Sequence, residues 1–352
     1  MSISAWLEKQ WWLKSPTAAS RFLWPFSAAY GALTAVRRAA YTRGLLRHSH
    51  PGVPVIVVGN VVVGGAGKTP VVGAIVRCLQ QAGYHPGVIS RGYPVSPKKP
   101  ILIAARHTAA EVGDEPLLHF ALAVPVVVCA NRFAAASMLL ESSPQVDVIV
   151  ADDALQHYAL MRDIEVEVVS AERAYGNGKL LPAGPLRETR DRAQACFLRI
   201  MPSWTKAPDG YKIGNHHVAL RRLDEAYALI EPTRTARLST FRDARPNLVT
   251  GIANPRQFAD ALRRAGVDGK LHAFPDHHPF TAADFETLGE RPILMTEKDA
   301  VKCKAFADLR MWVVPLTLHL APETKRKLLR QLADVRRTYS NDPTSLHEPK
   351  TP

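Results

Sequence analysis

An apolar run that flows into a glycine-rich turn and ends in Gly-Lys-Thr constrains this chain more than any other feature. Pro54-Val55-Ile56-Val57-Val58-Gly59-Asn60-Val61-Val62-Val63-Gly64-Gly65-Ala66-Gly67-Lys68-Thr69 reads as a buried strand, a loop and the start of a helix that the next residues can continue. In that context the backbone N–H groups from Gly64 to Thr69 can wrap a polyphosphate and the helix N-terminus adds its dipole. Lys68 can reach the outer phosphates, and the Thr69 hydroxyl can hold Mg²⁺. The general pattern asks for glycine where this chain has Val62. Gly64 and Gly65 can supply the backbone freedom from inside the loop. A turn that merely carries Lys-Thr is the plainer account, and the strand before it and helix after it weigh against that. The expectation is a site for a nucleoside triphosphate.

The chain around this loop has 352 residues, enough for two domains, and its 47% hydrophobic content excludes wholesale disorder. Cys78, Cys129, Cys196 and Cys303 stand far apart without a C-x-x-C pair, so neither a disulfide framework nor a zinc site is expected. A formal charge of +13 points to an acidic partner: nucleic acid, an anionic membrane or a phosphorylated substrate.

The N-terminal fifty residues narrow that choice. Trp6, Trp11, Trp12 and Trp24 crowd the first two dozen positions beside Phe22, Leu23 and Phe26. Lys9, Lys14, Arg21, Arg37, Arg38, Arg43 and Arg47 face a single acid, Glu8. Tryptophan favours the lipid headgroup level, and basic side chains snorkel towards anionic phosphates. The segment reads as an interfacial anchor, worth at most about 6 kcal/mol of charge attraction. It does not read as a span, because the best apolar window, 18–36, contains Arg21, Pro25, Tyr30 and Gly31. It has no compact apolar core leading to a cleavage site either. A helix whose aromatics pack on the protein itself is the competing account.

From residue 53 to about 170, β-branched runs (53–59, 87–90, 101–104, 124–129, 147–151, 164–170) alternate with helical segments (70–82, 114–123, 132–141). The fold class expected is α/β: a phosphate-loop-type parallel sheet with helices on both faces. Ligands in such sheets sit at the carboxyl ends of the strands. The division expected is an anchoring segment (1–50), a nucleotide domain (51–206), a β-linker or hairpin (207–235, with strands at 218–223 and 227–230), a smaller α/β domain (236–339) and a polar tail (340–352).

Several short stretches can carry chemistry. Val146 to Ala151 is an apolar strand ending in Asp152-Asp153, which in a phosphate-loop protein resembles the second nucleotide motif. Gly113-Asp114-Glu115-Pro116 opens a helix, with Asp114 suited by spacing to be its N-cap. Arg91-Gly92-Tyr93 and Leu181 to Glu188 look like rigid loops presenting arginines, which suit phosphate. Asp276-His277-His278 follows a strand of the smaller domain.

In order, Gly59-Asn60 and Gly64 to Pro70, Ser90-Arg91-Gly92-Tyr93, Gly113-Asp114-Glu115, Asp152-Asp153-Ala154-Leu155-Gln156-His157, Leu181 to Glu188, Asp276-His277 and Thr296-Glu297-Lys298-Asp299-Ala300-Val301-Lys302 closely resemble the tetraacyldisaccharide 4′-kinase family. The resemblance runs to about Pro315, and the residue at Val62 is not a departure from that family. It implies ATP-dependent phosphorylation, with Mg²⁺, of a lipid disaccharide monophosphate, the lipid A precursor. It also implies a peripheral or monotopic place on the cytoplasmic face of the bacterial inner membrane, against its anionic surface, and no nucleic-acid partner. By residue it implies Asp114 as base assisted by His277, with Lys68 on the transferring phosphate. Asn60, Gly64, Gly65, Ala66, Gly67, Lys68 and Thr69 would hold the nucleotide, and Thr69, Asp152 and Asp153 the metal. Arg91, Tyr93, Glu115, Gln156, His157, Arg187 and Glu188 would line the cleft. A membrane-associated switch ATPase would account for the loop and anchor but not for the rest of the series. A nucleic-acid-dependent ATPase would leave the tryptophans idle.

Overall fold

The computed structural model describes residues 9–13, 17–204, 216–223 and 225–341. Trp6, Glu8 and Lys14, most of the expected polar tail and part of the expected linker lie outside them.

The strand before the phosphate loop, β1 (Val55–Gly59), is the centre of a nine-stranded sheet. It is joined by β2 (Pro86–Ser90), β3 (Ile101–Leu102), β4 (Val126–Val128), β5 (Val148–Asp152), β6 (Ile164–Val168), β7 (Leu198–Ser203), β8 (His217–Arg222) and the chain's last strand, β15 (Thr317–Leu320). Their order is β15-β8-β7-β6-β1-β5-β2-β4-β3. All pairings are parallel except at the two edges, where β3 and β15 run antiparallel to their neighbours. Ile56 and Val58 of β1 point to one face and Val55 and Val57 to the other, and all four are fully buried. A strand with no polar face must be covered twice. Helices Lys68–Gln81 and Pro322–Asn341 cover the Ile56 face through Val72, Ile75, Leu328 and Leu332. Helix Arg132–Ser142 covers the other through Ala135 and Leu139. Because the strands are parallel, Asn60, Arg91, Asp152 and Asp153 emerge at one edge.

A second sheet holds β9 (Glu225–Ala228), β10 (Thr235–Arg237), β11 (Asn247–Thr250), β12 (Lys270–Ala273), β13 (Ile293–Thr296) and β14 (Met311–Val314), ordered β10-β9-β14-β13-β11-β12. Its faces are also both apolar, with Leu248 and Leu294 on one side and Val249, Ile293 and Met295 on the other.

Three expectations are corrected. The segments at 218–223 and 227–230 do not form a hairpin: β8 pairs with β7 in the large sheet and β9 with β14 in the small one. The chain from Thr317 onward does not stay with the smaller unit, since β15 returns to pair with β8 and the terminal helix packs on the large sheet's core. Strand β7 has no counterpart among the expected strands, because Arg199 and Pro202 interrupt its apolar pattern. Pro202 is tolerated because the β6 pairing ends at Ile200.

Helices Ala18–Phe22 and Trp24–Thr42 lie against the loop 177–188 by their small and polar residues. Ser20 Oγ donates to Ala183 O and Ser27 Oγ to Leu180 O, both at 2.9 Å, and Tyr30 OH to Arg187 O at 3.1 Å. Phe22, Phe26, Leu33 and Val36, spaced 4, 7 and 3 residues apart, remain well over half exposed on the opposite side. The tryptophans divide. Trp24 is exposed, whereas Trp11 Nε1 donates to Pro182 O at 2.9 Å and Trp12 packs on the cluster of Val61, Val62 and Tyr175. The packed-aromatics account therefore holds for Trp11 and Trp12. No helix among the described residues is long and apolar enough to cross a membrane.

Candidate active site

Val61, Val62 and Val63 leave β1 along the loop 185–187. Val63 N donates to Pro185 O and Arg187 N to Val61 O, and Val62, where glycine was sought, is buried in a bridge to Leu186. The chain then turns through Gly64 (φ 95°) and Gly67 (φ 84°) into the helix Lys68–Gln81. A left-handed residue immediately before a helix favours glycine, and a Cβ on Gly67 would come within 3.2 Å of Arg221 Nη2. Lys68 Nζ lies 3.5 Å from Asn60 Oδ1 and 3.6 Å from Asp153 Oδ1.

At the end of β5 the two aspartates part company. Asp153 (φ 47°) turns towards Lys68 and Arg187, whose Nη1 lies 3.3 Å from Asp153 Oδ1. Burial opposes its ionisation, but these two cations outweigh burial and hold the carboxyl below the usual carboxylate range. Asp152 is buried, receives His119 Nε2 on Oδ2 at 2.8 Å, and among the described residues has no hydrogen-bond partner for Oδ1. Among the described residues no group of three or more His, Cys, Asp or Glu forms a metal cage.

Asp114 is the first residue of the helix Asp114–Phe120, and the residue before the helix is Gly113, not Asp114 as spacing predicted. Gly113 (φ 86°) allows the loop at 92–93 to approach so closely that a Cβ would sit 2.5 Å from Tyr93 O. This frees the buried Asp114 side chain to face the second sheet, where His277 Nδ1 lies 3.1 Å from its Oδ2. His277 (φ 61°) is pinned by its N–H to Gly251 O, and the Tyr93 ring meets it edge-on. Lys302 Nζ and Lys298 Nζ flank the same Asp114 oxygen at 3.7 and 3.8 Å. Beside them, burial and then the Asp152 charge push the Glu115 carboxyl up to about 7, against Lys298 and Lys68.

Two cavities meet at the loop. One, of about 400 Å³, lies between the sheets and is lined by Gly65 to Thr69, Trp204, Arg221, Asn254 and Phe258. The other, of about 880 Å³, is lined by Arg91, Arg132, Asp153, Arg187, His277 and, from the N-terminal helix, Tyr30, Thr34 and Arg37. Gln156, His157 and Glu188 also line it. Gln156 Nε2 donates to Asn60 O and Glu188 Oε2, both at 3.0 Å, and Tyr158 OH donates to the other Glu188 oxygen. Burial and then the Arg132 charge drive the His157 pKa down to about 4, leaving a neutral ring whose buried Nε2 has no partner among the described residues.

Of the residues singled out for the site, all but Asn60, Asp114 and Asp152 line one of these two cavities; those three are buried and line neither. The structure adds His119, Arg132, Tyr158, Trp204 and Arg221, to which sequence reasoning gave no role, and Lys298 and Lys302, which stood in the Thr296-to-Lys302 motif without one. His119 and Tyr158 border motifs that were noticed; Trp204 and Arg221 gave no signal, since only the sheet order carries them to the loop.

A family profile described as tetraacyldisaccharide-1-P 4′-kinase matches residues 19–333. The chain is 42% identical over 324 residues to the tetraacyldisaccharide 4′-kinase of Azoarcus sp. (strain BH72), covering 92% of this chain and 94% of that relative. It is 44% identical over 317 residues to the enzyme of that name from Stenotrophomonas maltophilia, covering 88% and 91%. The fold is similar to that of a solved "apo" form of LpxK from Aquifex aeolicus in complex with ATP, with TM-score 0.76, 24% identity and coverage of 89% of this chain and 99% of that one. A phosphate loop between two cavities and a carboxylate–histidine pair joining two sheets accompany these likenesses over most of the sequence, and the chain belongs to the tetraacyldisaccharide-1-P 4′-kinase family.

Proposed function

We propose that this chain transfers the γ-phosphoryl group of ATP to the 4′-hydroxyl of a tetraacyldisaccharide 1-phosphate, with ATP between the sheets and the sugar in the larger, arginine-lined cavity. The contact of His277 Nδ1 with Asp114 Oδ2 carries the reading, because it links a buried proton acceptor, next in sequence to the cavity-lining Glu115, to a histidine that lines the acceptor cavity. Phosphoryl transfer needs positioning and charge neutralisation more than covalent chemistry. The loop N–H groups and Lys68 hold the polyphosphate. Asp114 takes the hydroxyl proton while His277 orients it and shares the gained charge. Arg91, Arg132 and Arg187 give the cavity the guanidinium groups that suit the acceptor's own phosphate.

The residues present fit Mg²⁺. Among the described residues Asp152 Oδ1 is a buried acceptor without a partner. Thr69, the second residue of the helix Lys68–Gln81, and Asp152 would give the one or two protein oxygens that, completed by substrate phosphates, are the usual magnesium arrangement. When bound, the ion would neutralise charge on the phosphate oxygens; Asp153 is already engaged by Lys68 and Arg187.

The exposed Phe22, Phe26, Leu33 and Val36 support shallow attachment to an anionic bilayer, at the cytoplasmic face of the inner membrane where this lipid is handled. Tyr30, Thr34 and Arg37 of the same helix line the acceptor cavity, so the sugar can enter while its acyl chains stay in the lipid. The test is transfer of label from γ-labelled ATP to the lipid disaccharide monophosphate in detergent micelles. Labelled lipid is expected; release of inorganic phosphate alone would favour the switch ATPase.

A further inference from the structure

Only five of the described residues line both cavities: Gly65, Lys68, Glu115, Ala253 and Lys298. A group passing from a nucleotide in one cavity to an acceptor in the other must cross the wall these residues make. Two of them are cations, one from each sheet. We infer that Lys298 grips the transferring phosphoryl group from the side opposite Lys68, so that the smaller sheet supplies a catalytic cation as well as His277. The inference rests on the kinase reading above.

The backbone of Lys298 is held firmly while its ammonium is held loosely. It follows Thr296, whose Oγ1 accepts from Asp299 N, and the buried Asp299 carboxylate accepts from Thr250 Oγ1 at 2.8 Å and Gly251 N at 3.1 Å. These bonds tie the start of helix Glu297–Cys303 to the end of β11. Nζ, by contrast, is 3.3 Å from His277 Nε2, 3.5 Å from Asp276 Oδ1, 3.8 Å from Asp114 Oδ2 and 3.9 Å from Glu115 Oε1. One hydrogen bond to His277 and three longer ion contacts, with 20% exposure, leave an ammonium that can turn to a better anion. Lys302 differs: it is 8% exposed and lies between Asp114 and Asp299, so the charge beside Asp114 remains compensated when Lys298 turns away. During transfer the acceptor oxygen bonds to the γ-phosphorus, the bond to the ADP oxygen breaks, and the proton passes to Asp114. Negative charge spreads over the three equatorial oxygens, and Lys298 neutralises it without gaining or losing a proton.

The competing role is positional: Nζ donating to His277 Nε2 would keep the imidazole proton on Nδ1, towards Asp114. Four full-length variants separate the two, Lys298→Met, Lys298→Arg, Asp114→Asn and the pair Lys298→Met with Asp114→Asn. Each is assayed for lipid phosphorylation, thermal midpoint and binding of a non-hydrolysable ATP analogue against ADP. The expected result for Lys298→Met is a fall in kcat of about 10²-fold or more, partial recovery in Lys298→Arg, and a loss of preference for the ATP analogue over ADP. The double variant should be slower than Asp114→Asn alone. Unchanged preference between the two nucleotides, or a double variant no slower than Asp114→Asn, would overturn the inference in favour of the positional role. Should Lys298→Met fold poorly, full activity in Lys298→Arg with unchanged nucleotide preference in a Lys298→Gln protein would overturn it as well. A wild-type protein that labels no lipid sinks the kinase reading itself, a separate outcome read in the same assay.

Discussion

Asp114 and His277 are 163 residues apart in sequence and 3.1 Å apart in space. Neither is conspicuous alone, since an acid at a helix start is ordinarily a cap and a histidine in a loop is ordinarily solvated. Only the resemblance paired them before the fold did; spacing could not, because the contact is made between two sheets. Asp114→Ala and His277→Ala should each slow turnover strongly, and the double variant should lose much less than the product of the two, as groups acting in one step do; independent, multiplicative losses would count against the pair. Lys68→Ala should cost about 10²-fold or more in kcat with the fold intact, read from turnover together with an unchanged circular dichroism spectrum. Glu115, pushed up to about 7, keeps its proton to higher pH than an ordinary carboxyl. If its ionised form serves the reaction, kcat/KM should rise between about pH 6 and 8, the range set by the free enzyme's groups. Glu115→Gln should then be slow and lack that limb. His157 works in the opposite sense: its folded pKa of about 4 lies below the ordinary 6.5, so the unfolded chain takes the proton first as pH falls. Its contribution to stability is full above pH 6.5 and is lost towards pH 4. The thermal midpoint of His157→Gln should fall less than wild type across that window.

At the scale of elements, legibility followed the apolar period. Strands β1, β2, β4 and β5 were readable because they are buried on both sides and built around β-branched residues, and β6 because Ile164, Val166 and Val168 alternate with Glu165 and Glu167. Strand β7 was not, because its Leu198 to Ser203 carries Arg199, whose guanidinium is satisfied by the buried Glu167 and Tyr175. That compensation is tertiary and leaves no local trace. The N-terminal helix shows the reverse case. Its composition announced an interface, but which residues face outward depended on Ser20, Ser27 and Tyr30 binding the loop at 177–188. The outward stripe should insert in lipid, and burying side chains of this size contributes about 1.5–3 kcal/mol each when complete. Replacing Phe22, Phe26, Leu33 and Val36 with serine should strongly reduce sedimentation with anionic vesicles. Phosphorylation of substrate in detergent should survive, since none of the four lines the acceptor cavity. Undiminished sedimentation would mean that the stripe is not the contact. Salt should release the wild-type protein only in part, because it screens the arginines and not the apolar contact.

At the scale of the whole molecule, the chain crosses from the large sheet to the small one between β8 and β9 and returns between β14 and β15. A linear reading divided the sequence into consecutive domains. It could not see the return, since nothing in the Thr317–Leu320 strand states which of two open edges it will join. The consequence is functional: β8, placed in the large sheet by β15 and β7, carries Arg221 into the cavity between the sheets. Arg221 is 8% exposed, lies against Gly67, and among the described residues has no hydrogen-bond partner for Nε or Nη1. Among the described residues its one charge partner is Glu172, at 3.6 Å, whose same Oε1 accepts from Gln257 Nε2 of the smaller unit at 2.9 Å. A buried guanidinium with unused donors beside a phosphate loop is poised for a polyphosphate, and a hydrogen bond to a charged group contributes about 1.5 kcal/mol or more. Arg221→Met should therefore raise KM for ATP by about tenfold or more and leave KM for the lipid acceptor unchanged, whose cavity it does not line. Steady-state kinetics with each substrate varied in turn decides it. A rise confined to the acceptor KM, or equal losses for both substrates, would show that Arg221 only holds the two sheets in register through Glu172 and Gln257.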